Sequence, residues 1–107
     1  MTGKPLYMIS IVSEMMNLHP QTIRQYEKMG LIKPFRTEGN TRLYSDEDVN
    51  KLKYIIKLTK ELKVNIAGVE IIMALNEEIQ KLNTSLENLQ NKIENTSISK
   101  NINIEIR

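Results

Sequence analysis

Gln21, Thr22, Arg24, Gln25 and Lys28 fall within nine residues and are all hydrogen-bond donors of the kind that read DNA. They sit in the run Pro20-Gln-Thr-Ile-Arg-Gln-Tyr-Glu-Lys-Met29, where Ile23, Tyr26 or Glu27, and Gly30 follow one helical face and leave these five mostly on the others. Arg24 can give two parallel bonds to guanine or clamp a phosphate. The chemistry is recognition rather than catalysis. There is no cysteine, which excludes disulfides and thiolate metal sites, and the sole histidine, His19, cannot build a histidine metal cluster. No acid, base and nucleophile constellation exists, so an enzyme is the poorest reading, and no cofactor is expected.

The 107 residues are material for one small domain, in which oligomerisation would add to a modest core. Residues 1–63 carry 11 Lys/Arg against 7 Asp/Glu, a net +4, while residues 64–107 carry 4 against 6, a net −2. A basic front half on an acidic back half suits a nucleic-acid-facing head joined to an assembly element, although small proteins also show such asymmetry by chance. No apolar stretch is long enough to span a bilayer, and the N-terminus lacks the apolar centre of a signal peptide. A cytosolic protein is expected.

The elements that must position those residues are legible in outline. Tyr7-Met8-Ile9 is a short apolar lead-in; Ser10 can cap a first helix that ends at Asn17, a residue suited to a left-handed stop. After a three-residue turn, Pro20 takes the first position of a second helix, where its missing N–H costs nothing, and Gly30 ends it. Between Leu31 and Tyr44 the helical period is lost, and Glu38-Gly39-Asn40 marks the turn of a small hairpin. Ser45 caps a third helix with acids in its first turn and a buried stripe of Val49, Leu52, Ile55 or Ile56, and Leu58 or Thr59. Asn65 can cap a further helix from Ile66 to Leu75.

From Ile72 the apolar residues recur as Ile72, Leu75, Ile79, Leu82, Leu86, Leu89 and Ile93, a heptad seam. Its 22 residues span roughly 33 Å of helix at 1.5 Å per residue, too long to fold back on so small a head. A second copy is the simplest cover, against the plainer reading of one amphipathic helix on its own domain. In an antiparallel pair Glu78 meets Lys92 of the second copy twice, and a parallel pair offers no such contact. Exposed pairs contribute only about 0–1 kcal/mol, so this favours the antiparallel direction only weakly.

The head resembles the MerR superfamily of winged-helix regulators. Thr22-Ile-Arg-Gln-Tyr-Glu-Lys-Met-Gly-Leu-Ile32 is similar to that family's recognition segment, and Pro34 to Tyr44 to its wing. Within the superfamily, His19-Pro-Gln-Thr-Ile-Arg-Gln-Tyr-Glu27, Arg36-Thr-Glu-Gly-Asn40 and Val64-Asn-Ile-Ala-Gly-Val69 resemble the heat-shock repressors of the HspR group. The resemblance implies DNA contacts at Gln21, Thr22, Arg24, Gln25 and Tyr26 on the recognition helix and at Arg36, Asn40 and Arg42 on the wing. Lys28 and Tyr44 complete the candidate set, with Tyr26 and Tyr44 also readable as core tyrosines. His19 is assigned a turn or backbone-phosphate role. Metal-sensing relatives place cysteines near the coil and drug-sensing ones append an effector domain; neither feature is visible.

Three segments follow: a winged helix-turn-helix head at 6–75, a dimerising coiled-coil helix at 76–94, and a flexible tail at 95–107 whose Ile102, Ile104 and Ile106 alternate strictly. The fold is mainly α with a small hairpin wing. The tail reads as an extended apolar strip for a DnaK-type chaperone, a co-repressor in relatives, or as a frayed terminus or added edge strand. The whole is expected to be a homodimeric repressor of chaperone genes on inverted-repeat double-stranded DNA. The alternatives are a MerR-type nitrogen-control regulator, which shares the wing residues Arg36 to Asn40, an architectural or excisionase-like DNA-bending protein, and a coiled-coil interaction module.

Overall fold

The computed structural model describes the backbone of residues 3–106 and the side chains of residues 3–97. The elements run β1 (Leu6–Met8), α1 (Ile9–Met16), α2 (Pro20–Lys28), β2 (Phe35–Arg36), β3 (Arg42–Ser45), α3 (Asp46–Ile56), a single π-helical turn (Lys57–Glu61) and α4 (Ile66–Ile106). The chain is mainly helical and divides into two units between Ile71 and Ile72. Among the described residues no helix is long and apolar enough to cross a membrane.

Residue chemistry explains most boundaries in the first unit. Asn17 ends α1 at φ 53°, ψ 45°, where a short polar side chain tolerates the left-handed region. Its N–H and that of Leu18 bond back to the carbonyls of Glu14 and Ser13, and the Ser13 hydroxyl donates to the Leu18 carbonyl. Ser45 caps α3 in a reciprocal box: the Asp48 N–H donates to Ser45 Oγ at 3.1 Å, and the Ser45 N–H donates to Asp48 Oδ2 at 3.0 Å. Those two bonds explain how Asp48, only 6% exposed, keeps its carboxyl inside the fold. Ser10, by contrast, caps nothing. Met8 stands at the N-cap of α1 without a side-chain bond, because the chain enters that helix straight from a strand.

That strand is the main addition to the sequence reading. β1 pairs antiparallel with β3 (Leu6 with Ser45, Tyr7 with Tyr44, Met8 with Leu43), so the hairpin of β2 and β3 becomes a three-stranded sheet in the order β1-β3-β2. Tyr7 also donates to Asp46 Oδ1 at 2.8 Å and so ties β1 to the start of α3. Three residues are too few to show a period of two, and their pairing partner lies almost forty residues away.

Val12, Ile23, Ile32, Leu52, Ile55 and Val69 are fully buried, and Leu31, Val49 and Leu58 nearly so. Of the alternatives on α3 and beyond, Ile55 and Leu58 face the core while Ile56 and Thr59 are half-buried. Asn65 caps α4 as expected, its Oδ1 accepting from the Gly68 N–H at 2.8 Å. Gly68 is required there: a Cβ would stand 2.7 Å from Val64 Cγ1, inside contact distance of a stiff β-branched side chain.

Beyond Leu75 the helix does not stop. α4 is continuous for 41 residues, through the segment read as an extended tail. With no neighbouring strand to pair with, residues 95–106 satisfy their backbone by helical bonds to the preceding turn, which an isolated strand cannot do. The side chains of Ile102, Ile104 and Ile106 lie outside the described residues.

Candidate nucleic-acid interface

The entry to α2 is built by two adjacent residues. Pro20 occupies the first helical position, and His19 caps the helix, its Nδ1 accepting from the Gln21 N–H at 3.0 Å. At the far end Gly30 takes φ 80°, which a side chain would oppose. Ile23, fully buried, and Tyr26, 9% exposed, anchor the inner face. Gln21, Gln25 and Lys28 are thereby exposed, with Thr22 and Arg24 half-buried beside them. Arg24 Nη1 reaches Gln21 Oε1 at 3.3 Å, a long contact that leaves the guanidinium available.

The wing turns between Thr37 and Thr41, whose backbone bond at 3.0 Å closes the hairpin, and Asn40 supplies the left-handed residue at φ 65°. Arg36 and Arg42 are direct cross-strand neighbours. Two like charges at such a position repel. Glu27, in the last turn of α2, receives both: Arg36 Nη2 donates to its Oε2 at 2.9 Å, and Arg42 Nε donates to its Oε1. Burial pushes the Glu27 carboxyl upward, but the bonds and charges of Arg42 and Arg36 outweigh it and hold the group below its ordinary value.

These residues enclose one cleft of about 380 Å³, lined by Gln21, Arg24, Gln25, Glu27, Lys28, Arg36 and Arg42. Four cations and one carboxylate face its space, with two glutamines as neutral donors and acceptors. Such a surface attracts a polyanion and offers groups able to read base edges. Of the ten candidates, Gln21, Arg24, Gln25, Lys28, Arg36 and Arg42 come together here. Thr22 and Asn40 do not line the cleft, although Asn40 is joined to it because Arg36 Nη1 donates to Asn40 Oδ1 at 3.2 Å.

The two tyrosines require correction. Tyr44 is fully buried and its hydroxyl has no hydrogen-bond partner among the described residues, so it is a core residue and not a surface contact. Alternation along β3 decides this: Tyr44 and its cross-strand neighbour Tyr7 share one face of the sheet, while Leu43 lies with exposed Met8 and Phe35 on the other. Tyr26 likewise contributes most of its ring to the core, and burial raises its hydroxyl pKa. Sequence reasoning in turn passed over Glu27 as a site residue. The signal was present, since Glu27 is the only acid between Glu14 and Glu38 in an otherwise basic stretch.

In the second unit, Leu75, Ile79, Leu82, Leu86, Leu89 and Ile93 are each 53–63% exposed, and Ile72 is half-buried. Among the described residues the seam is thus an apolar stripe without cover.

A winged helix-turn-helix head with a basic cleft defines the class. Residues 7–76 match the profile of the MerR helix-turn-helix family of regulatory proteins, and the chain belongs to that family. It is 38% identical over 78 residues to a Streptomyces coelicolor protein described as heat shock protein HspR, covering 73% of this chain and 52% of that one. It is 40% identical over 73 residues to the HTH-type transcriptional regulator GlnR of Bacillus anthracis, covering 68% and 56%. The chain spans about half the length of the curated relatives it matches. A MerR-family transcriptional regulator from Bacillus cereus shares the fold, with a TM-score of 0.59 at 23% identity over 87% of this chain and 73% of that one.

Proposed function

We propose that this MerR-family regulator is a homodimeric, sequence-specific repressor of heat-shock and chaperone genes, acting on inverted-repeat operators with a DnaK-type chaperone as co-repressor. The observation that carries DNA reading is the cleft in which Gln21, Arg24, Gln25 and Lys28 of α2 meet Arg36 and Arg42 of the wing. The exposed seam from Leu75 to Ile93 supports self-association, and a two-fold dimer demands two-fold half-sites. The heat-shock assignment draws on the HspR relative. The helical backbone of residues 95–106 removes the extended strip from which a chaperone contact at Ile102, Ile104 and Ile106 was read, so no place on the chain is assigned to the chaperone.

A second reading is favoured by the 40% identity with GlnR: a regulator that serves the genes of those relatives instead. Footprinting of the full chain on its own promoter and on chaperone promoters, with excess random competitor and with or without the chaperone, separates them. A protected inverted repeat strengthened by chaperone supports the first reading. Protection indifferent to chaperone supports the second, and absence of protection on any duplex sinks both.

A further inference from the structure

Glu27 is an anomaly in a surface meant for a polyanion. Its charge alone weakens attraction to phosphate, yet it stands among Arg24, Lys28, Arg36 and Arg42 in the cleft. What it holds, and by which atoms, accounts for it. Arg42 is gripped through Nε, and neither of its Nη groups has a hydrogen-bond partner among the described residues. Arg36 is held by Nη2 while its Nη1 reaches Asn40 at the wing turn, so one carboxylate links the recognition helix to both strands of the hairpin and, through Arg36, to its tip. The Glu27 side chain is only 18% exposed, and those of Arg42 and Arg36 are 29% and 37% exposed. Charge-assisted bonds so partly shielded hold geometry better than freely solvated pairs.

We infer that Glu27 is a positioning residue: it neutralises the repulsion between Arg36 and Arg42 and fixes both against α2, so that the wing and the recognition helix engage DNA in one register. This rests on the DNA-reading function proposed above. Fixing two long, flexible side chains before binding removes ordering entropy from the binding step. Arg42 then keeps its Nη groups, unpaired among the described residues, for phosphate or base, and Asn40 is held through Arg36.

The test uses the full chain, a duplex selected by the wild-type protein from a randomised pool, and a scrambled duplex of equal length. Loss of a carboxylate by charge alone would tighten binding to both duplexes equally. If Glu27 positions the wing, Glu27→Gln lowers affinity for the selected duplex about tenfold while binding to the scrambled one is unchanged or stronger, so selectivity falls. In the free protein the Arg42 Nε–H resonance loses its protection from solvent exchange. Arg42→Lys, which keeps the charge but not the fork, shows the same loss of selectivity, and the double variant shows no further loss. Should Glu27→Gln fail to fold, Glu27→Asp, which keeps the charge but shortens its reach to the wing, carries the test and loses selectivity in the same way. Unchanged selectivity in a folded Glu27→Gln or Glu27→Asp protein overturns the inference and leaves the DNA-reading function standing. A wild-type chain that selects no duplex overturns both.

Discussion

The head and the seam-bearing helix solve the same problem in opposite ways. In the first unit Val12, Ile23, Ile32, Leu52, Ile55 and Val69 are shut away from water by elements far apart in sequence. In the second, six residues of the same chemical kind remain more than half exposed along one face of a single helix. Apolar residues at helical spacing therefore do not by themselves announce a core. What separates the two cases is whether the chain supplies a second surface. The head has a sheet and three helices to close over its stripe, and the seam has none within its own unit.

The comparison is broken most severely at the seam. Leu82→Arg with Leu86→Arg places charges where a second copy would bury them, which costs several kcal/mol per interface. Sedimentation should show a dimer becoming a monomer while the melting of the head is unchanged. An unaltered oligomer would show that the stripe is not the interface. Leu52→Ala acts in the reverse sense: it should remove about 2–5 kcal/mol from the urea unfolding free energy and leave the folded protein's oligomeric state intact. Arg24→Ala should weaken binding to the selected duplex by about 1–3 kcal/mol if it reads a base, whereas equal loss on scrambled DNA would make it a phosphate contact.

Two smaller effects sharpen the account of the head's polar interior. The buried Tyr44 hydroxyl lacks a partner among the described residues, so Tyr44→Phe should raise stability by about 1 kcal/mol, seen as a higher urea midpoint; destabilisation would mean that the hydroxyl is satisfied in solution. Glu27 has a folded-state pKa below its unfolded value near 4.5, so its contribution is present above that value and is lost as pH falls through the lower, folded one. Acid unfolding followed by circular dichroism should be less steep below about pH 4.5 in Glu27→Gln than in wild type, and identical profiles would show that the carboxylate contributes nothing.

Much of the head was legible because its signals are local. Asn17, Pro20, Gly30 and Ser45 each act through their own backbone or that of a residue within a turn, and each stands where its type predicts. Ser10 shows the limit, since a good capping residue is idle when the chain arrives as a strand one residue too early. The polar donors of α2 were readable for the same reason, as one face of one helix. The partners of Glu27 were not. They lie nine and fifteen residues away across a hairpin whose register decides which side chains meet.

By itself the amino-acid sequence determined the helix-turn-helix, the capped third helix with its buried stripe, the wing turn and the heptad seam. Propensity, capping and periodicity act over a few residues and need no distant partner. Only the tertiary structure decided that β1 joins the sheet, that Tyr44 turns inward and that Arg36 and Arg42 close on Glu27. Each of those depends on strand register, and a shift of one residue would reverse the face of every side chain concerned.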